Sequence, residues 1–231
     1  MNRTHRLPLA FATAGTLLLI AGSYYGLAVS APEKYMGDVQ RIMYVHVPTA
    51  WCAILALTWA FACASAFLIT GRLRWDHRLE AAIEVSVVLC FLLSVQGAIW
   101  AKPTWGVWWD WDPRLTTVAI LLTAFLGITA LRHHSSDPMR RATWSSVATV
   151  IGYIDVPIVY FSVKWWNSLH QQQSALKSVS RDFLIPLLTN FAGMLMVIVA
   201  IAMVRAKTAA RRAEEEMPPP LVQSELIGDM A

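Results

Sequence analysis

Six apolar runs set the limits on what this chain can become. They cover roughly 8–29, 50–70, 80–100, 115–131, 145–163 and 183–204. A helix needs about 20 apolar residues to cross the hydrocarbon core of a bilayer. In lipid every backbone N–H and C=O must find a partner inside the protein, so spans of this length must be helices. Only 15% of the residues are charged, against about 25% in soluble domains. The expectation is an all-α integral membrane protein with six transmembrane helices. The first run, from Leu7 to Val29, is too long for a typical signal-peptide core and lacks a clear cleavage pattern, so it reads as a retained span. Residues 1–204 form the six-span domain. Residues 205–231, charged and then proline-rich (RRAEEEMPPP), read as a disordered cytoplasmic tail.

Orientation follows from the bias of Lys and Arg toward the cytoplasmic side. With the N-terminus inside, the inner segments hold twelve basic residues and the outer segments seven. Both termini are therefore expected in the cytoplasm. The basic residues are scattered at the ends of apolar runs, so the net charge of +4 does not signal nucleic acid. Cys52, Cys63 and Cys90 all lie inside apolar runs and form no CxxC or CxxCH pair. That excludes a zinc ribbon and covalent c-type haem attachment and leaves three small buried hydrophobes. No P-loop is present, so any ATP-driven step belongs to a partner.

The outer loops carry structure of their own. Tyr35, Met36, Val39, Ile42, Met43 and His46 fall at helical spacing, which predicts a short amphipathic helix lying along the membrane surface. Pro48 then turns the chain into the second span. The loop between the third and fourth spans holds WGVWWDWDPRLTT, from Trp105 to Thr117. Eight tryptophans lie at or near the outer face and two near the inner face. An interfacial belt populates both faces, so this asymmetry points instead to a platform for a large flat ligand. Its indoles are Trp105, Trp108, Trp109 and Trp111.

Of six histidines, only His46 and His170 lie outside, each in an aromatic loop near a span end. Neutral imidazole ligates iron, and two of them can hold one haem iron from opposite faces. Trp166 and His170 are four apart and share a face if that loop is helical. Arg114 has two available roles: bidentate pairing with a ligand carboxylate, or pairing with Asp110 or Asp112. Asp112 also stands where a helix cap belongs, before Pro113. Glu84 lies close enough to the cytoplasmic end to be solvated. Asp155 is deeper, and Asn190 or Thr189 of the last span is its expected partner.

These residues resemble a known family. WGVWWDWDPRLTT is similar to the tryptophan-rich signature WGxWWxWDxRLT of haem-handling proteins in cytochrome c maturation, and MYVHVP and WWNSLHQ resemble the CcmC branch. The resemblance implies haem b as the bound group and a site on the periplasmic face of the bacterial inner membrane. His46 and His170 are then the axial ligands of the iron, and Trp105, Trp108, Trp109 and Trp111 the platform. Asp112 and Arg114 orient the loop or engage the haem propionates or the chaperone. The implied partners are the haem chaperone CcmE, the small protein CcmD, and the ABC-type ATPase and membrane subunits CcmA and CcmB. The implied activity is binding and delivery, not enzymatic turnover. A b-type electron-transfer anchor is the alternative, although such anchors place their histidines within the spans. A haem-translocating permease subunit is another, which asks for a polar path through the spans.

Overall fold

The structure, a computed structural model, describes residues 3–170 and 179–216. Seven α-helices follow in chain order: α1 (Arg3–Tyr24), α2 (Met43–Thr70), α3 (Leu73–Trp105), α4 (Pro113–His134), α5 (Pro138–Gly152), α6 (Asp155–Trp165) and α7 (Arg181–Glu216). They supply six segments long and apolar enough to cross a membrane, with α5 and α6 sharing the fifth. Six crossings bring the two ends of the described chain to one side, here the termini end. The loops after α1, α3 and α6 lie at the opposite loop end.

The α2–α3 hairpin is the centre of the bundle. The helices α4, α5 and α6 pack on one side of it and α7 on the other, and α1 packs against α7. Leu57, Leu79, Ile83 and Phe125 form the main apolar core. Cys52, Cys63 and Cys90 are buried free thiols within these contacts. The crossing of α1 over α7 requires glycine: a Cβ on Gly15 would lie 2.7 Å from the Gly193 carbonyl oxygen.

No surface helix precedes α2. A 3₁₀ turn over Asp38–Ile42 runs straight into α2 at Met43, so His46 and Pro48 lie within the first turns of α2 itself. Proline cannot donate to the carbonyl four residues back, which leaves the Tyr44 carbonyl open. Asn190 Nδ2 on α7 donates to it at 2.9 Å. Pro186 frees the Asp182 carbonyl in the same way, and Ser30 Oγ donates to it at 2.9 Å. Two prolines are thus tolerated in the spans because side chains from neighbouring segments replace the lost donors.

Asn190 is therefore committed to Tyr44, and Thr189 donates to the Ile185 carbonyl. Neither is the partner of Asp155, contrary to expectation. Asp155 opens α6 where the fifth span breaks after Gly152. Pro157 lacks the N–H that would reach the Tyr153 carbonyl, and the Val156 N–H takes it instead at 3.0 Å. The Tyr153 ring stacks on Phe61, and its hydroxyl meets Thr58 Oγ1 at 3.0 Å.

At the termini end a network of charges ties four helices together. Arg132 of α4 contacts Asp76 at 2.6 Å and Glu80 at 2.9 Å, both on α3, and donates to Ser145 Oγ of α5. Arg212 of α7 reaches Glu80 at 2.6 Å, and Arg205 pairs with Glu84. Glu84 is thus an ion-pair partner and not simply a solvated acid. The same pairs explain why α7 continues to Glu216, past the expected end of order at 204. Two arginines along its face find carboxylates one turn apart on α3. Residues 217–231 of the expected tail lie outside the described residues.

Candidate functional site

His46 and His170 both lie at the loop end, within electrostatic reach of each other, beside the turn that links α3 to α4. Trp105 closes α3, and Gly106 follows with φ +81°, a left-handed conformation that favours glycine as a helix stop. The Gly106 N–H donates to the Lys102 carbonyl at 3.0 Å, and Lys102 Nζ donates back to the Gly106 carbonyl at 2.9 Å. The chain then runs irregularly from Val107 to Asp112. Asp112 caps α4, its Oδ1 accepting from the Arg114 N–H at 2.9 Å, with Pro113 in the first helical position.

Asp112 does more than cap. It is 5% exposed. Its Oδ2 accepts from the Leu169 N–H at 2.7 Å, and its Oδ1 meets His170 Nδ1 at 3.1 Å. Ser168 Oγ accepts from the His170 N–H at 3.1 Å, closing a tight turn. One carboxylate thereby pins the loop after α6 to the tryptophan-rich loop. Burial alone raises the Asp112 pKa, but hydrogen bonds from Ser168, Leu169 and Arg114 outweigh it and hold the carboxyl below its usual range. Burial holds His170 below the ordinary imidazole range, against the opposing pull of Asp112. At neutral pH the pair is an ionised aspartate and a neutral histidine. An ionised carboxylate only accepts, so His170 Nδ1 carries the proton and Nε2 presents a lone pair. This is the arrangement by which an outer-shell carboxylate orients a metal-binding imidazole.

His46 projects from the start of α2 and is half-buried. Its ring stands edge-on to Trp100 at 5.5 Å. A Cβ on Gly97 would come 3.5 Å from its Cε1, so glycine leaves room for the ring. His46 Nδ1 is buried without a hydrogen-bond partner among the described residues. His46 lies within electrostatic reach of His170 and Arg114. Arg114 makes no ion pair with Asp110 or Asp112 among the described residues. Its guanidinium has one long contact, Nη2 to the Tyr160 carbonyl at 3.4 Å, and its buried Nε has no partner. The site thus holds an orphaned imidazole nitrogen, an oriented imidazole and an uncommitted guanidinium. That donor set suits an iron porphyrin bearing carboxylates.

The indoles are not one flat sheet. Trp105 meets the His170 ring edge-on at 4.9 Å, and Trp109 meets Trp111 edge-on at 5.9 Å. Edge-to-face pairing matches positive ring edges to negative ring faces. Trp108 and Trp111, 58% and 77% exposed, present the open surface. Asp110 is exposed beside them. Because α6 ends at Trp165, Trp166 and His170 do not share a helical face, and Trp105 takes the place at the imidazole. Trp51 packs edge-on against Phe191. The sequence did not single out Trp100 and Gly97 as neighbours of His46, or Ser168 as the turn residue of His170. A serine two residues before a histidine is a turn signal; for Gly97 nothing short of the packing reveals the role.

The family model described as CcmC, heme exporter protein C, matches residues 1–218. A heme exporter protein C from Bradyrhizobium diazoefficiens is 35% identical over 215 residues, covering 88% of this chain and 80% of the relative. Its counterpart in Haemophilus influenzae is 34% identical, covering 90% and 86%. That of Escherichia coli K12 is 29% identical, covering 90% and 85%. With six membrane-spanning segments and the tryptophan-rich loop in place, the chain is a multi-pass membrane protein of haem handling in cytochrome c maturation, and it belongs to the CcmC, or heme exporter protein C, family.

Proposed function

We propose that this chain holds haem b at its loop end, on the periplasmic side of a bacterial inner membrane, and delivers it to the haem chaperone CcmE. The termini end then faces the cytoplasm, where its surplus of basic residues belongs. CcmA, CcmB and CcmD are the partners that complete the system. The observation that carries the reading is the Asp112–His170 contact near a His46 whose Nδ1 has no partner among the described residues. His46 and His170 ligate the iron, whose coordination holds the cargo without covalent attachment. Arg114 takes a propionate, and Trp108 and Trp111 cover the porphyrin while leaving it open to a partner. The histidines lie at the end of the bundle, at the Trp-rich loop, which suits hand-over to an external protein better than electron transfer between spans.

The test is an absorption spectrum of the purified protein, with haem and CcmE quantified in the same preparation and haem transfer followed. A bis-imidazole spectrum that decays as CcmE becomes loaded is expected. Haem bound without that signature, or never passed to CcmE, overturns the proposal. Replacing Trp108 and Trp109 by alanine is expected to lower haem retention while membrane insertion stays intact. Normal loading in that variant returns the indoles to an interfacial role.

Asp112→Ala is expected to lower haem affinity by about 10–100-fold, the usual cost of losing an outer-shell partner. Asp112→Asn keeps an acceptor for His170 Nδ1 and recovers part of it. Equal losses in the two variants assign the effect to the carboxylate charge, because asparagine caps a helix as well as aspartate does. The pH dependence has a defined sign. Iron takes the neutral imidazole, and the pKa of His170 is depressed from 6.5. Binding therefore survives acidification through 6.5 and fails only as pH falls through the depressed value. A spectral midpoint at or above 6.5 contradicts the burial of His170.

A further inference from the structure

A cavity lies away from the candidate haem site, between α2, α3 and α7. It has a volume of about 440 Å³. Its walls are apolar: Cys52, Leu55 and Ala56 on α2, Ala82 and Val85 on α3, and Leu195 to Ala206 along α7. Arg78 is the one charged side chain in its lining. Arg78 lies in the second turn of α3, near the termini end, so the groove descends from the headgroup level toward mid-membrane.

Leu195 to Ala206 spans about 16 Å of helix axis at 1.5 Å per residue, a length that takes an extended alkyl chain. The charge at the mouth selects further. Arg74 and Arg78 flank the Trp75 ring, with guanidinium carbons 5.4 and 4.7 Å from its centroid. Among the described residues neither pairs with a carboxylate, whereas Arg132, Arg205 and Arg212 at the same end all do. Positive charge left unbalanced at headgroup depth, above an apolar slot, complements a lipid phosphate.

We propose that this groove is a binding site for an anionic phospholipid, one acyl chain lying between α2, α3 and α7 and the phosphate held at Arg78 with Arg74 beside it. The bound chain fills the space where α7 stands away from the hairpin. The polar network of Glu80, Glu84, Arg205 and Arg212 holds an adjoining face of the same helix. The lipid and the ion pairs together set the position of α7, to which α1 is attached.

The test is native mass spectrometry of the full-length protein in detergent, titrated with phosphatidylglycerol or phosphatidylcholine of identical chains. One retained phosphatidylglycerol is expected, at several-fold higher occupancy than phosphatidylcholine. Arg78→Gln brings the two to the same level. Ala202→Leu, which fills the groove, lowers both. Should Ala202→Leu shift the thermal midpoint, Ala206→Leu near the mouth replaces it. An unchanged haem spectrum in each variant shows that the fold is intact, since none of these residues touches the haem site. Equal retention of the two lipids by the unsubstituted protein, undiminished phosphatidylglycerol in Arg78→Gln, or undiminished lipid in the groove-filled variants overturns the proposal. So does a lipid-free protein in which groove filling instead breaks a complex with another membrane subunit.

Discussion

A protein in which His46 and His170 are both alanine is expected to purify without haem and to leave CcmE unloaded, while still inserting in the membrane. Each single substitution leaves one imidazole. It should convert a six-coordinate low-spin spectrum into a five-coordinate one, with affinity falling further than the about 10–100-fold attached to an outer-shell partner. The two singles should differ. His170 is oriented by Asp112 at 3.1 Å and by the turn at Ser168, so its removal deletes a ligand that is held ready. His46 Nδ1 has no partner among the described residues, so its ring is steered only by Trp100 and the space over Gly97. Exogenous imidazole should therefore rescue His46→Ala less completely than His170→Ala, since the His46 cavity is closed in by Trp100. A double variant that keeps a bis-imidazole spectrum would falsify the ligand assignment outright.

The largest effect on stability is expected from Arg132→Ala. The Arg132 and Asp76 side chains are 6% and 4% exposed, and removal of the guanidinium strands Asp76 without a partner and leaves Glu80 only Arg212. Leaving one partner of a buried pair costs about 3–5 kcal/mol. The check is the thermal unfolding midpoint in detergent, which should drop well below that of the unsubstituted protein. Replacing Arg132 and Asp76 together by neutral residues of similar size should restore most of the loss, because Glu80 keeps Arg212 and no buried charge is then left uncompensated. If the single and the double replacements are equally unstable, packing at this position matters more than charge. The haem spectrum of whatever fraction stays folded should be unchanged, as the network lies at the opposite end of the bundle.

The fold was legible because lipid admits so few solutions. Long apolar runs must be helices, and the six runs located all six spans. Their ends were less legible. The outer stripe from Tyr35 to His46 has helical spacing, yet only its C-terminal part is α-helical, and that part belongs to α2. Amphipathic periodicity cannot distinguish a helix lying on the membrane from the first turns of one crossing it. The end of α7 was misplaced for another reason. Arg205 and Arg212 look like the start of a solvated tail until Glu80 and Glu84 on α3 are brought opposite them. Asp155 shows the same limit: Asn190 seemed its partner by depth, but Pro48 had already created a stronger demand at the Tyr44 carbonyl.

At the candidate site the chemical identities were visible early. Two histidines, a run of indoles and an arginine point by residue type toward a flat, iron-bearing, anionic cargo, the reading proposed above. Sequence left Asp112 with several roles open: a cap, a partner for Arg114 or a contact to propionates. Its cap was legible from Pro113, while its grip on Leu169 and His170, 57 and 58 residues away, was not.

Local chemistry, then, determined that the chain is helical and membrane-spanning, that its indoles gather in one loop, and that His46 and His170 are the candidate ligands. Those properties depend on side-chain type and on short spacing, which are written directly in the residues. Only the tertiary structure decided that Asp112 orients His170 and that Trp100 and Trp105 back the two imidazoles. It also decided that Arg114 stays uncommitted and that α7 is held to α3 by paired charges. Each of these is a contact between segments far apart in the chain. Hydrogen bonds and ion pairs act over about 3–4 Å, and only the packed bundle brings such groups that close.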